Sequence, residues 1–199
     1  MKAPAFKEWG VVVRALLAGE QLLDVRKGGL HEDGRHFGLQ STRVWLYPTG
    51  EHQRAELLKP AYRRWLDDPA TPASPDDAIT LPGWADIVGV ATITDPDDLA
   101  RIGSKFIWTV DYAESRLKWK RRDPLWILAM RAYRLAEPIT IPWREEYGGC
   151  TSWVPVDGVP DDPAELPSEP ALSGESFTSR LKLVTNDLPG VFEEPQPTG

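Results

Sequence analysis

The chain is poor in several things at once. One cysteine in 199 residues, Cys150, leaves no internal disulfide and suits a reducing compartment. No apolar run approaches the roughly 18 residues that a membrane helix needs, and the opening MKAPAFKEWG has no secretory apolar core. A cytoplasmic protein with no membrane partner is therefore expected. Histidine is scarce: His31, His36 and His52 are the only three, and all fall within 22 residues. Positive charge is in deficit, with 23 Lys and Arg against 30 Asp and Glu and a net charge of −7. Taken alone, that balance disfavours nucleic acid as a partner.

The deficit is unevenly spread. Residues 105–134 hold eight basic and three acidic side chains, a balance of +5, whereas residues 157–199 hold two basic and nine acidic, a balance of −7. Phosphate binding follows local potential rather than the total, so the basic segment stands as a candidate surface. The acidic tail is composed to compete for it. Nineteen prolines favour loops and strand edges over long helices.

The chain is organised around residues 124–142, PLWILAMRAYRLAEPITIP, its longest apolar run. Exposing Leu125, Trp126, Ile127, Leu128, Met130 and Leu135 would forfeit roughly 1.5–3 kcal/mol per large side chain. The run is therefore core, with Arg131 and Arg134 giving it a positive rim. LWILAMRAYRLA contains good helix formers, while its continuity and the EPITIP ending suit a buried strand. Periodicity alone leaves both open.

Around this run, residues 7–18 read as a short helix capped by Gly19, and 21–27 as a strand closed by Gly28-Gly29. Residues 37–49 read as a second strand, 51–66 have helical spacing, and 67–77 form a Pro/Asp loop. The β-branched run 84–94 is a strand. Asp95-Pro96 starts a short helix reaching Ile102. From about residue 156 the composition is that of a Pro- and acid-rich linker, with 177–184 as one last strand docking back. The expected organisation is a single globular α+β domain over 1–156, then a linker and tail over 157–199.

Four groups of residues invite chemistry. Arg26-Lys27-Gly28-Gly29 with His31, Glu32, His36, Glu51, His52 and Gln53 suggests a metal or acid–base cluster, but no spacing matches a zinc pattern and a solvated loop explains it as well. Lys27 followed by two glycines also allows backbone N–H groups to approach a phosphate, although a plain turn after a strand is the blander reading. Trp108, Tyr112, Arg116, Lys118, Trp119, Lys120, Arg121 and Arg122 interleave aromatics with cations, which suits bases and phosphates. The bland alternative is buried rings beneath a solvated basic face. Cys150 lacks a thiol-nucleophile signature and reads as an inert thiol.

KEWGVVVRALLAGEQLLDVRKGG, YPTGEHQ, RLKWKRRDPLWILAMRAYRL and EYGGCTSWV together resemble a family of uncharacterised bacterial proteins, a domain of unknown function, over residues 7–156. Members usually carry Glu-His near the position of Gln40-Ser41, and chemistry resting on that pair would not carry over. LLDVRKGG, VWLYPTGEH, WADIVGVATIT and the 124–142 run also follow the strand order of the PUA, EVE and ASCH pseudobarrel group. That more distant similarity implies a mixed, mostly antiparallel, barrel-like sheet with flanking helices, and binding of RNA or a modified base in an aromatic pocket.

The leading expectation is a nucleic-acid-binding module of this type. Arg116, Lys118, Lys120, Arg121 and Arg122 would contact phosphates, Trp45 or Trp108 would stack on a base, and Lys27 and Glu32 would sit at the pocket mouth. It requires no cofactor. The enzyme alternative is a nuclease or other phosphodiesterase of the restriction-endonuclease-like type, dependent on a divalent metal. Its nearest motif is Asp24-Val25-Arg26-Lys27, which puts Lys27 on the opposite strand face from Asp24. A protein-interaction domain is the third class, with the acidic, proline-rich tail as its only positive feature.

Overall fold

Ile127, Leu128, Ala129 and Met130 are consecutive and completely buried. Successive strand residues point to opposite faces, so this part of the sheet is covered on both sides. The organising run is thus a strand of 17 residues, and its lack of alternation reflects double burial. In the computed structural model, which describes residues 2–27, 39–50, 53–66, 78–118, 124–149, 151–188 and 192–195, the elements are β1 (Ala3–Trp9), α1 (Gly10–Leu17), β2 (Leu23–Lys27), β3 (Arg43–Thr49), β4 (Ile79–Ile93), α2 (Pro96–Ile102), α3 (Val110–Lys118), β5 (Leu125–Ile141), β6 (Trp153–Val156), β7 (Ser168–Pro170) and α4 (Gly174–Asp187).

The sheet has seven strands in the order β2-β5-β4-β3-β1-β6, with β7 paired to β5 beyond the end of β2. Among the described residues only the β1–β3 pair is parallel. The expected mixed, mostly antiparallel α+β architecture is present, but the sheet is open and forms no closed barrel. Two cores lie against it. The larger takes Phe6, Val44, Leu46, Ile87 and the buried sides of α1 to α4. The smaller takes Ala5, Trp45, Tyr47, Leu81, Trp84 and Tyr147. Adjacent strand residues Ala5 and Phe6, or Trp45 and Leu46, divide between the two, as a pleated strand requires.

Several local expectations change. Lys7, Glu8 and Trp9 belong to β1, and the helix begins only at Gly10. Gly19 follows that helix with φ of 71°, the left-handed backbone that glycine accepts readily. Within 53–66 two 3-10 turns, Ala55–Leu57 and Pro60–Trp65, replace a continuous helix. The Asp95 start of α2 holds, its carboxylate accepting the Asp97 N–H at 2.9 Å. Residues 177–184 are helical: Ser173 caps α4, and Phe177, Leu181, Val184 and Leu188 recur at helical spacing on the core side. The segment expected as linker thus contributes β7 and α4 to the fold.

A ladder of rings and guanidinium groups fixes that segment. Arg43 lies over Trp84 at 4.9 Å, and Trp84 stacks on Tyr133 with centroids 3.9 Å apart. Arg131 lies 5.5 Å from Tyr133 and 5.4 Å from Phe177 of α4. Arg134 donates to the Leu17 carbonyl at 2.7 Å, and Arg180 donates to the Gly19 and Glu20 carbonyls, satisfying groups at the end of α1.

The β4–β5 register slips between Leu81 and Gly83. A Cβ at Gly83 would lie 2.2 Å from the Tyr133 carbonyl oxygen and 2.6 Å from Leu17. Gly83→Ala is therefore expected to destabilise by about 1–3 kcal/mol or more. A lower urea midpoint at unchanged m would show this, and an unshifted midpoint would refute it.

Candidate functional site

β1 and β2 are not hydrogen-bonded neighbours, yet their side chains meet. Asp24 and Arg26 lie two apart on β2 and share a face, and the Arg26 Nε donates to Asp24 Oδ2 at 2.8 Å. Its Nη2 donates to the Lys7 carbonyl of β1 at 2.7 Å and pairs with the Glu8 carboxylate. The guanidinium rests on the Phe6 ring at 4.3 Å. Glu8 also accepts the Trp9 N–H at 2.7 Å. Glu8 and Asp24 are 6% and 0% exposed, so this is an interior cluster of two carboxyls and one guanidinium.

Burial of an uncompensated charge is costly. Burial, opposed by Arg26 and reinforced by Asp24, pushes the Glu8 carboxyl up to about 8. A proton on Glu8 leaves one cation facing one anion. Asp24 Oδ1 is buried with no hydrogen-bond donor among the described residues, and a side-chain hydrogen bond to Asp24 also favours the protonated form of Glu8. Burial alone would lower Arg26, but Asp24 and Glu8 outweigh it and the guanidinium is raised.

Above the cluster lies an aromatic corner. Trp9 stacks on Tyr112 of α3 with centroids 5.8 Å apart, and the Arg116 guanidinium sits 5.7 Å from the Tyr112 ring. Trp9, Tyr112 and Arg116 are all half-buried. Burial raises the Tyr112 hydroxyl, with Arg116 opposing. The corner thus combines a stacking surface, a cation and a proton-holding carboxyl.

The residues expected to bind nucleic acid are dispersed by the fold. Lys27 ends β2 opposite Leu125. Arg116 and Lys118 occupy the last turn of α3, where cations also suit the helix dipole, and Lys118 pairs with Glu114 at 3.0 Å. Trp45 is fully buried in the smaller core, its Nε1 donating to the Pro160 carbonyl at 3.1 Å. Trp108 is buried against Phe106 and Tyr112. Neither indole presents a face to solvent, because so large an apolar surface is worth more inside. Glu32, Lys120, Arg121 and Arg122 lie outside the described residues, as do Gly28, Gly29, His31, His36, His52 and Cys150.

Glu8 and Trp9 were hidden in the sequence by their assignment to a helix. The alternation of buried Phe6 and Glu8 with half-buried Lys7 and Trp9 was their available signal. Elsewhere, a concavity of about 320 Å³ is lined by Pro4, Ser41, Thr42, Arg43, Asp86, Asp161 and Asp162. There Arg43 pairs with Asp86 at 2.7 Å and Asp162 at 3.3 Å, so its charges are largely matched internally. Among the described residues no three His, Cys, Asp or Glu side chains are grouped to hold a metal ion, and no helix is long and apolar enough to cross a membrane.

An open, mostly antiparallel α+β sheet bearing a buried acid–arginine cluster under an aromatic corner is the class of domain defined here. The chain belongs to the DUF1802 family, a domain of unknown function, whose model matches residues 5–182. That match runs through β7 and most of α4. No curated protein and no solved structure matches the chain.

The raised Glu8 carboxyl has a defined effect on stability. The folded chain holds its proton to about pH 8 whereas the unfolded chain releases it near 4.5, so the contribution of this group to stability is full below 4.5 and is lost as pH rises through 8. Glu8→Gln is expected to flatten that decline in urea titrations between pH 5 and 8, and an identical slope would refute the assignment. Arg26→Met should cost about 3–5 kcal/mol, since it strands two buried carboxyls.

Proposed function

We propose that this chain is a nucleic-acid-binding module of PUA/EVE-like type, taking single-stranded RNA or a modified base at the Trp9–Tyr112 corner. The observation that carries the reading is the run of α3: it sets Arg116 over Tyr112 and leads directly into the basic sequence 118–122. A half-exposed ring beside a guanidinium is a stacking platform tolerant of any base, and adjoining cations supply phosphate contacts. Lys118, Lys120, Arg121 and Arg122 are assigned the phosphates, with Lys27 and Glu32 near the mouth. Tyr112 takes the stacking role for which Trp45 and Trp108 are too buried.

The metal-dependent nuclease is the second reading, favoured by Glu8 and Asp24 meeting from two strands. A divalent cation at Asp24 would have to displace Arg26 from Oδ2.

Labelled single- and double-stranded DNA and RNA, incubated with and without Mn²⁺ and run on native and denaturing gels, separate these readings. Retardation that weakens steeply with salt and leaves the strand intact is expected. Reversing charge at Lys118, Lys120, Arg121 and Arg122 should flatten the salt dependence. Tyr112→Leu should cost about 1–3 kcal/mol of affinity at a stacked base. Equal binding by the charge-reversed variant would overturn the proposal, and Mn²⁺-dependent cleavage would replace it with the nuclease.

A further inference from the structure

β6 pairs with β1 from Ala3 to Phe6, and on the same side the Lys7 N–H donates to the Ser152 carbonyl at 2.9 Å. The next backbone groups of β1 on that side are the Lys7 carbonyl and the Trp9 N–H. Both are taken by side chains of the acid–arginine cluster. Arg26 Nη2 donates to the carbonyl, and Glu8 Oε1 accepts the N–H, each at 2.7 Å. On the other side β3 sets Pro48 opposite Glu8, and proline has no N–H to give. The cluster thus holds the end of β1 where a ladder would otherwise do so.

The same cluster joins the two sides of the aromatic stack. Trp9 ends β1, while Tyr112 belongs to α3, which packs on β2 and so moves with Asp24 and Arg26. Among the described residues, the charged and titratable groups around Glu8 are Asp24 and Arg26 of β2, then Tyr112 of α3 with Arg116 over its ring. Burial holds the Tyr112 hydroxyl above its ordinary range, so it stays neutral near pH 8. Arg26 and the Trp9 N–H favour an ionised Glu8, but burial and Asp24 outweigh them. Once Glu8 does ionise, two interior carboxylates share one guanidinium. Water entering between β1 and β2 is the relief open to them.

We propose that Glu8, Asp24 and Arg26 form a proton-operated clamp on the Trp9–Tyr112 corner. With the proton on Glu8 the clamp is closed, β1 lies against β2 and the rings stack. Loss of the proton admits water between the strands, parts Trp9 from Tyr112 and weakens the hold on a stacked base. This last step rests on the corner being a base-stacking site, whereas the clamp itself does not. The coupling is reciprocal: a base held at the closed corner retains the Glu8 proton, so binding takes up protons where the free chain is partly ionised.

The full chain labelled with 5-fluorotryptophan reports the clamp without any ligand. The fluorine resonance of Trp9, assigned by its loss in Trp9→Phe, is expected to shift with a midpoint of about pH 8. Its solvent-isotope shift should grow above that midpoint as the ring is uncovered. Glu8→Gln should remove both changes, and Asp24→Asn, which takes away a charge that raises Glu8, should move the midpoint downward. A Trp9 resonance that keeps one solvent-isotope shift throughout, or that titrates unchanged in Glu8→Gln or Asp24→Asn, would overturn the clamp. The second measurement is binding of a labelled single-stranded oligoadenylate, whose bases neither gain nor lose protons between pH 7 and 9. With only the closed corner competent, wild-type affinity should fall about tenfold over that interval and stay level in Glu8→Gln. A wild-type affinity no steeper in pH than that of Glu8→Gln would overturn control of the site by the clamp. Absence of binding at pH 7 would instead overturn the base-stacking assignment, with the fluorine titration still deciding the clamp.

Discussion

The position of Arg26 is the constraint from which this side of the molecule follows. The sheet leaves β1 and β2 without backbone pairing, and the guanidinium spans the gap instead, reaching the Lys7 carbonyl, Glu8, Asp24 and the face of Phe6. A guanidinium suits the task because it stays charged and directs several donors in one plane. With two carboxyls and one cation in the interior, full ionisation would leave an unmatched negative charge. The chain resolves this by keeping a proton on Glu8. Because Glu8 also accepts the Trp9 N–H, the cluster fixes the strand end on which Trp9 meets Tyr112. The contact between β1 and β2 and the candidate site are thus one arrangement of charges.

A second set of cations acts on the opposite side of the sheet. Arg43, Trp84, Tyr133, Arg131 and Phe177 alternate guanidinium and ring from β3 to α4. These contacts attach a polar, proline-rich segment that has few apolar residues of its own. Leu166, Phe177, Leu181, Val184 and Leu188 supply the rest of its anchorage. The arginines of 131–134, read as a positive rim, are used mainly inside the molecule.

Much of the fold was legible where local pattern and tertiary burial agree. Trp84 to Ile93 reads as a strand because its β-branched residues suit a pleated, buried surface, and Asp95-Pro96 marks a helix start by its own local hydrogen bonding. The errors share a cause. Residues 7–18 carry a strand and a helix in succession, and their apolar positions fit one helical stripe when taken together. Residues 177–184 look polar and short until the apolar positions flanking them, through Leu188, are counted at helical spacing. The 124–142 run could not be assigned because a doubly buried strand has no periodicity to show.

The sequence by itself determined the apolar core, the concentration of cations between 105 and 134, the lack of an internal disulfide, and membership of an α+β class. Those properties depend on composition and near-neighbour pattern. Only the tertiary structure decided that Glu8, Asp24 and Arg26 share one interior cluster, that Tyr112 rather than Trp45 or Trp108 stands half-open beside a cation, and that Phe192 packs over Gly89. The reason is physical: each arrangement joins residues distant along the chain, and a carboxyl or an indole acquires its chemistry from the neighbours and the burial that folding imposes.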